Sequence, residues 1–179
     1  HLNGVRVGDA LLTPGWTDYN KHIQYQAYDV ADLLQAGANT FGVILGDGWG
    51  VGHISWVGRQ RYADQPQLLA QIVLTYADGS QEVVATDGSW KVTQGPILES
   101  DMLMGESYDA RRELTGWANP GYDDAAWWAV AVFTGHDAAL VATNGPVVKH
   151  QETLRPPVPA LSTIQTIQTK GIQLRMLLN

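Results

Sequence analysis

Cysteine is absent from this 179-residue sequence. That excludes a disulfide framework and a thiolate zinc site, and fits a cytosolic protein or a secreted one stabilised by its core alone. Charge is sparse too: only 16% of residues are charged, and acids outnumber bases 18 to 11 for a formal net charge of −7. A chain with a pI near 5.0 is a poor match for nucleic acid or an anionic membrane surface, which argues against both as partners. A neutral ligand or a cation is compatible with that charge. No run of about 18 apolar residues occurs, so no segment is expected to span a bilayer, and no signal-peptide pattern is visible. Catalytic signatures are also missing: there is no GxSxG elbow, no HExxH pair and no phosphate-binding glycine loop. The five histidines are scattered without metal-ligand spacing. An extracellular and a cytoplasmic setting both remain open.

What is present is apolar and strand-like. The hydrophobic fraction is 45%, enough for one domain with a real core. Asn3-Gly4 between short apolar pairs favours a type I′ turn, because both central residues need positive φ. Residues 23–28 alternate as a half-buried strand does. Residues 29–37 (DVADLLQAG) read as a short helix, with Asp29 as N-cap and Gly37 as the stop. Residues 39–45 read as a strand. LLAQIVLTY and QEVVAT flank an Asp78-Gly79 hairpin signal, and further strands are expected at 89–93, 102–108, 127–133 and within 140–154. Eight or nine short strands with one minor helix predict an all-β antiparallel sandwich. The Pro-rich break RPPVP at 155–159 and the acid-free tail after it place a domain boundary near 157, with 158–179 as a linker or non-native tail. The first strand of a following domain is the other reading of that tail. The abrupt opening HLNGVRVG reads as a start inside a strand, with more chain expected upstream.

Residues 46–62, GDGWGVGHISWVGRQRY, set five glycines among large rings and polar groups. Trp49 and Trp56 lie here, and Trp16 lies in the glycine- and proline-containing PGWTDYNKH at 14–22. Aromatic rings on loops, flanked by Asp, Asn, His and Arg, suit a sugar: the rings stack on its apolar face and the polar groups satisfy its hydroxyls. The competing reading has each tryptophan covering an end of the sandwich. Trp90, Trp117, Trp127 and Trp128, in or beside expected strands, are assigned to the core. His22 could donate to a ligand hydroxyl. Glu106, Asp109 and Arg111 are expected to form an ion-pair network that ties down a loop. Asp123-Asp124, in a turn-rich stretch, are read as turn formers rather than a catalytic pair.

The ordered runs LNGVRVGDALLTPGWTDYNKHIQYQAYDVADLL, GVILGDGWGVGHI, RYADQPQLLAQIVLTYADGS and GESYDARRELTGWANPGYDDAAWW resemble the N-terminal β-sandwich domain of bacterial α-L-rhamnosidases of glycoside hydrolase family 78. The resemblance covers about residues 1–157. It implies a jelly-roll sandwich similar to galactose-binding domains, and an extra strand or two upstream. It also implies a likeness to carbohydrate-binding module family 67, which binds L-rhamnose through calcium. The implied function is a non-catalytic module recognising terminal L-rhamnose; the alternative is a structural domain packed on the parent's catalytic barrel. A free-standing lectin is a third reading, and an enzyme acting alone is not expected. Carried onto this sequence, Asp18 and Asn20 become the calcium ligands, joined by Asp47. Trp49, His53 and Trp56 become the sugar wall, with Arg61 and Tyr62 at its rim.

Overall fold

The structure, a computed structural model, describes residues 1–134 and 137–154 together with the backbone of 167–169 and 172–174. It divides into two units, His1–Lys149 and His150–Asn179. In the second unit, β11 (Ile167–Thr169) and β12 (Ile172–Leu174) form an antiparallel hairpin. The expected boundary at 157/158 and most of the tail lie outside the described residues.

The first unit is all-β with short helical turns, the sandwich class that the strand pattern predicts. Its strands are β1 (Ala10–Leu11), β2 (His22–Tyr25), β3 (Gln71–Thr75), β4 (Gln81–Ala85), β5 (Lys91–Val92), β6 (Ile97–Asp101), β7 (Gly105–Tyr108), β8 (Trp128–Ala129), β9 (Ala139–Ala142) and β10 (Val148–Lys149). They pair two by two: β1–β10, β3–β4, β5–β8 and β6–β7 antiparallel, and β2–β9 parallel. The parallel pair departs from the purely antiparallel expectation. It joins a strand near residue 24 to one near 140, and β1–β10 brings the same two regions together again. The two pairs therefore close the unit across its whole length.

Local chemistry explains the turns. Asn3 and Gly4 adopt φ of 52° and 82°, and Leu2 bridges Val5, as a type I′ turn requires. The Asn3 side chain pins this turn, accepting from Thr40 N at 2.8 Å and donating to Leu33 O at 2.9 Å. Gly79 takes φ 83° in a longer β3–β4 loop closed by Tyr76 N to Ser80 O at 2.9 Å. The expected helix at 29–37 contracts to a 3-10 turn, Ala31–Leu33. The N-cap position falls on Val30, not Asp29, which stands one residue earlier and accepts from Ala31 N at 3.0 Å. The turn ends at Leu34, before Gly37 (φ 86°). Residues 39–45 give one bridge, Phe41 to Leu2, instead of a strand. β6 was not anticipated, and the strand expected at 102–108 starts only at Gly105, because Met102 to Met104 form the β6–β7 turn.

The buried apolar side chains among the described residues are Leu2, Tyr19, Val51, Ile54 and Ala118. Two of these five, Val51 and Ile54, come from the glycine-rich stretch. Trp90, Trp117 and Trp127 are half-buried, edge-on to Phe41, His1 and Tyr122 respectively. Trp128, assigned to the core from its sequence, is instead 61% exposed, since only two residues of 127–133 enter a strand. No helix among the described residues is long and apolar enough to cross a membrane.

Candidate functional site

Residues 46–62 form a braced element docked on β6. A one-turn helix, α1 (Gly48–Val51), lies inside it, followed by a 3-10 turn at Ser55–Val57. Backbone bonds from Gln60 N to Val51 O (2.9 Å) and Ile54 N to Gly58 O (3.1 Å) fold the stretch on itself. Three polar links then fix it to β6. The Asp47 carboxylate accepts from Ser100 N at 3.0 Å. The Arg59 guanidinium spans Asp47 (3.3 Å) and Glu99 (2.6 Å), a charge-assisted fork. His53 meets Asp101 twice, through its backbone N–H and through ring Nδ1, each at 2.7 Å.

Asp101 is 6% exposed, the one charged residue buried among those described. Its other oxygen accepts from Leu103 N at 2.8 Å and Met104 N at 3.0 Å. Burial alone would raise its carboxyl pKa. The donors from His53, Leu103 and Met104 outweigh burial and hold it well below the usual carboxylate range. Gly52 makes the approach possible: a Cβ there would collide with the Gly48 carbonyl and stand 2.8 Å from Asp101 Oδ2.

The TDYNK turn meets this element through rings. Trp16 stacks on Trp49 with centroids 5.1 Å apart and planes at 24°. Tyr19 tilts against Tyr62 at 5.0 Å, and Trp16 Nε1 donates to Tyr62 Oη at 3.3 Å. Tyr19 is buried and donates to Gly15 O at 2.5 Å. Burial, with Tyr62 beside it, pushes its phenol up to about 12. Trp56 stands apart at the tip of the 3-10 turn, fully exposed and stacked on no ring among the described residues.

Comparison with known proteins gives this arrangement a family. Residues 1–152 match the α-L-rhamnosidase N-terminal domain family. The chain belongs to that family. Among its relatives, the α-L-rhamnosidase of Streptomyces avermitilis is 48% identical over 130 residues, covering 73% of this chain and 13% of that protein. One from Formosa agariphila is 40% identical over 135 residues, covering 74% and 14%. The crystal structure of the Streptomyces avermitilis α-L-rhamnosidase complexed with L-rhamnose superposes with a TM-score of 0.77 at 42% identity, over 85% of this chain and 15% of that one. The Aspergillus terreus α-L-rhamnosidase structure gives 0.72 at 37% identity, over 83% and 18%. The chain thus spans less than a fifth of the length of each of these relatives.

Within this α-L-rhamnosidase N-terminal domain, the residues singled out from sequence divide into three groups. Asp47, Trp49, His53 and Tyr62 come together in the braced element, where Asp47 and His53 are engaged by β6. Asp18 and Asn20 share the facing turn, with Asn20 Nδ2 donating to Asp18 Oδ1 at 3.3 Å. Trp56 and Arg61 project into solvent, and Arg61 makes no ion pair among the described residues. Arg59, two positions earlier, carries the contact to the carboxylates. Glu99, Ser100 and Asp101 were missed, because β6 itself was missed. Elsewhere the expected Glu106–Asp109–Arg111 network reduces to a local bidentate pair of Asp109 with Arg111 at 2.8 Å, with no ion pair to Glu106 among the described residues.

The TDYNK turn also allows a test of calcium against its own side chains. Two oxygens from Asp18 and one from Asn20 stand at the turn, whereas calcium takes about six to eight. Lys21 Nζ lies 3.3 Å from Asp18 Oδ2 and, by hydrogen bonding to it, holds that carboxyl below its ordinary pKa. Among the described residues, no group of three or more His, Asp or Glu is placed to hold a metal. These side chains do not form a closed calcium cage.

Proposed function

We propose that this chain is a non-catalytic accessory domain of an α-L-rhamnosidase that packs against the rest of the enzyme. Exposed apolar surface carries the reading. Val73 and Val83 face each other across β3 and β4, both exposed. Leu103 and Met104 crown the β6–β7 turn, Met104 at 68% exposure, and Val132 and Phe133 follow β8. So many large apolar side chains in water are costly, and surfaces of this kind mark contacts with other protein. The matched relatives are several times longer than this chain, which fits such a neighbour.

One observation favours a second reading, the L-rhamnose module. Trp56 is presented to solvent on a turn held by its own backbone bonds, and Trp49 of the same 46–62 element stacks on the exposed Trp16. Sugar hydroxyls, water and backbone carbonyls would have to complete any calcium shell begun at Asp18 and Asn20. One experiment separates the readings. The 179-residue chain is mixed with an aryl α-L-rhamnoside and, separately, titrated with L-rhamnose under tryptophan emission, with and without calcium. The docking reading expects no aglycone release and steady emission. A saturable emission change that a chelator abolishes selects the rhamnose module, and sustained turnover overturns both.

A further inference from the structure

Five positions along the chain set an asparagine or aspartate directly before a glycine: Asn3, Asp47, Asp78, Asp87 and Asn144. A glycine in that place has no Cβ to keep its backbone N away from the preceding side chain's carbonyl carbon. Attack there succeeds most readily on an amide, which can release ammonia, whereas an ionised carboxylate repels the nucleophile. Asn3-Gly4 and Asn144-Gly145 are therefore the reactive pairs, and the fold decides between them.

Asn3 is held through both heteroatoms of its amide. Its Oδ1 accepts from Thr40 N at 2.8 Å, while Nδ2 donates to Leu33 O at 2.9 Å and to Asn39 Oδ1 at 2.8 Å. The aspartates are engaged as well: Asp47 by Ser100 and Arg59, Asp78 by Ser80, and Asp87 by Ser89. Asn144 is exposed, and neither its side chain nor Gly145 N makes a hydrogen bond among the described residues. Pro146 follows and has no N–H, so no backbone bond from that position can close a turn over the pair. The anchors lie on either side. Thr143 N donates to Tyr25 O at 3.1 Å, and Val148 pairs with Leu11. Between them the loop from β9 to β10 leaves its Asn-Gly pair open to water.

We propose that Asn144 is a self-modification site, where the folded chain deamidates by intramolecular attack without an enzyme. Gly145 N gives up its proton to solvent and bonds to Asn144 Cγ. The Cγ–Nδ2 bond breaks, and Nδ2 takes a proton and leaves as ammonia. The cyclic imide that remains is opened by water at either of its carbonyls. One opening gives aspartate at 144. The other gives isoaspartate, which routes the main chain through the former side chain and lengthens the β9–β10 loop. Either product adds a negative charge, and no redox partner is needed. This goes beyond the docking reading and does not depend on it. The test incubates the 179-residue chain in warm, mildly alkaline buffer, digests it under acidic conditions and maps the peptides by mass. The Asn144 peptide should exchange NH for O and split into aspartate and isoaspartate forms. The Asn3 peptide should lag at least about tenfold, since its hydrogen bonds must open first. In denaturant that gap should close, and Gly145→Ala, whose Cβ hinders the attack, should slow the reaction at 144. An unmodified Asn144, equal rates at the two asparagines in the folded chain, or no slowing in folded Gly145→Ala would each overturn the proposal.

Discussion

Asp101→Ala is expected to lower the stability of the domain by about 3 kcal/mol, roughly a 10 °C fall in Tm. The carboxylate accepts four hydrogen bonds in a site closed to solvent, three of them from backbone N–H groups. Removing it strands those donors and frees the 46–62 element from β6 at its His53 end. Asp101→Asn keeps one acceptor oxygen and should lose less. The effect also has a pH signature. The folded-state carboxyl sits below its usual range, so the folded protein resists its protonation while the unfolded chain takes up a proton near pH 3.9. The stability it contributes is present above that pH and is lost as pH falls further. Acid unfolding of the wild type should therefore steepen below about pH 4, and Asp101→Asn should lack that component.

Gly52→Ala is expected to cost about 3 kcal/mol as well, by overpacking instead of by lost bonds. Its added carbon would meet the Gly48 carbonyl and the Asp101 carboxylate together. Backbone is the harder obstacle, since no rotamer moves it aside, so the α1 turn must open. Gly50 provides the contrast: it lies outside the positive-φ region and an added carbon would meet only Tyr19, at 4.0 Å, so an alanine there should change stability by no more than about 0.5 kcal/mol. Chemical unfolding of both variants checks this order. Equal losses would mean that glycine serves only to make turns here, and not to admit the carboxylate.

Much of this was legible from sequence where a local rule decides the outcome. Asn3-Gly4 turns because positive φ is cheap there, and the Asp78-Gly79 region turns for the same reason. Rings and glycines mark 46–62 and TDYNK as the two lips of a sugar pocket, whereas in the fold Trp16 stacks on Trp49 and Tyr19 packs on Tyr62, so these rings meet each other. What could not be read depends on pairing between distant segments. Asp101 looks like any surface acid in ILESD until β6 puts it under His53. Likewise Arg59 and Arg61 are equivalent in a string of letters, and only the path of the chain after the positive φ at Gln60 assigns the clamp to Arg59. Residues 29–37 carry a helix pattern, but Leu34 turns extended (φ −80°, ψ 146°), so a single 3-10 turn is all that forms, with Leu33 and Leu34 half-buried.

The role of this chain as an accessory domain of an α-L-rhamnosidase can be measured directly. The direct measurement uses the Streptomyces avermitilis enzyme, comparing its aryl α-L-rhamnosidase activity and Tm in three forms: intact, with the segment aligned to this chain deleted, and with residues 1–152 of this chain in its place. Deletion is expected to destabilise the enzyme and to cost most of its activity, and the replacement is expected to restore both. A deletion form as stable and active as the intact enzyme would contradict the account, and so would a replacement no better than the deletion.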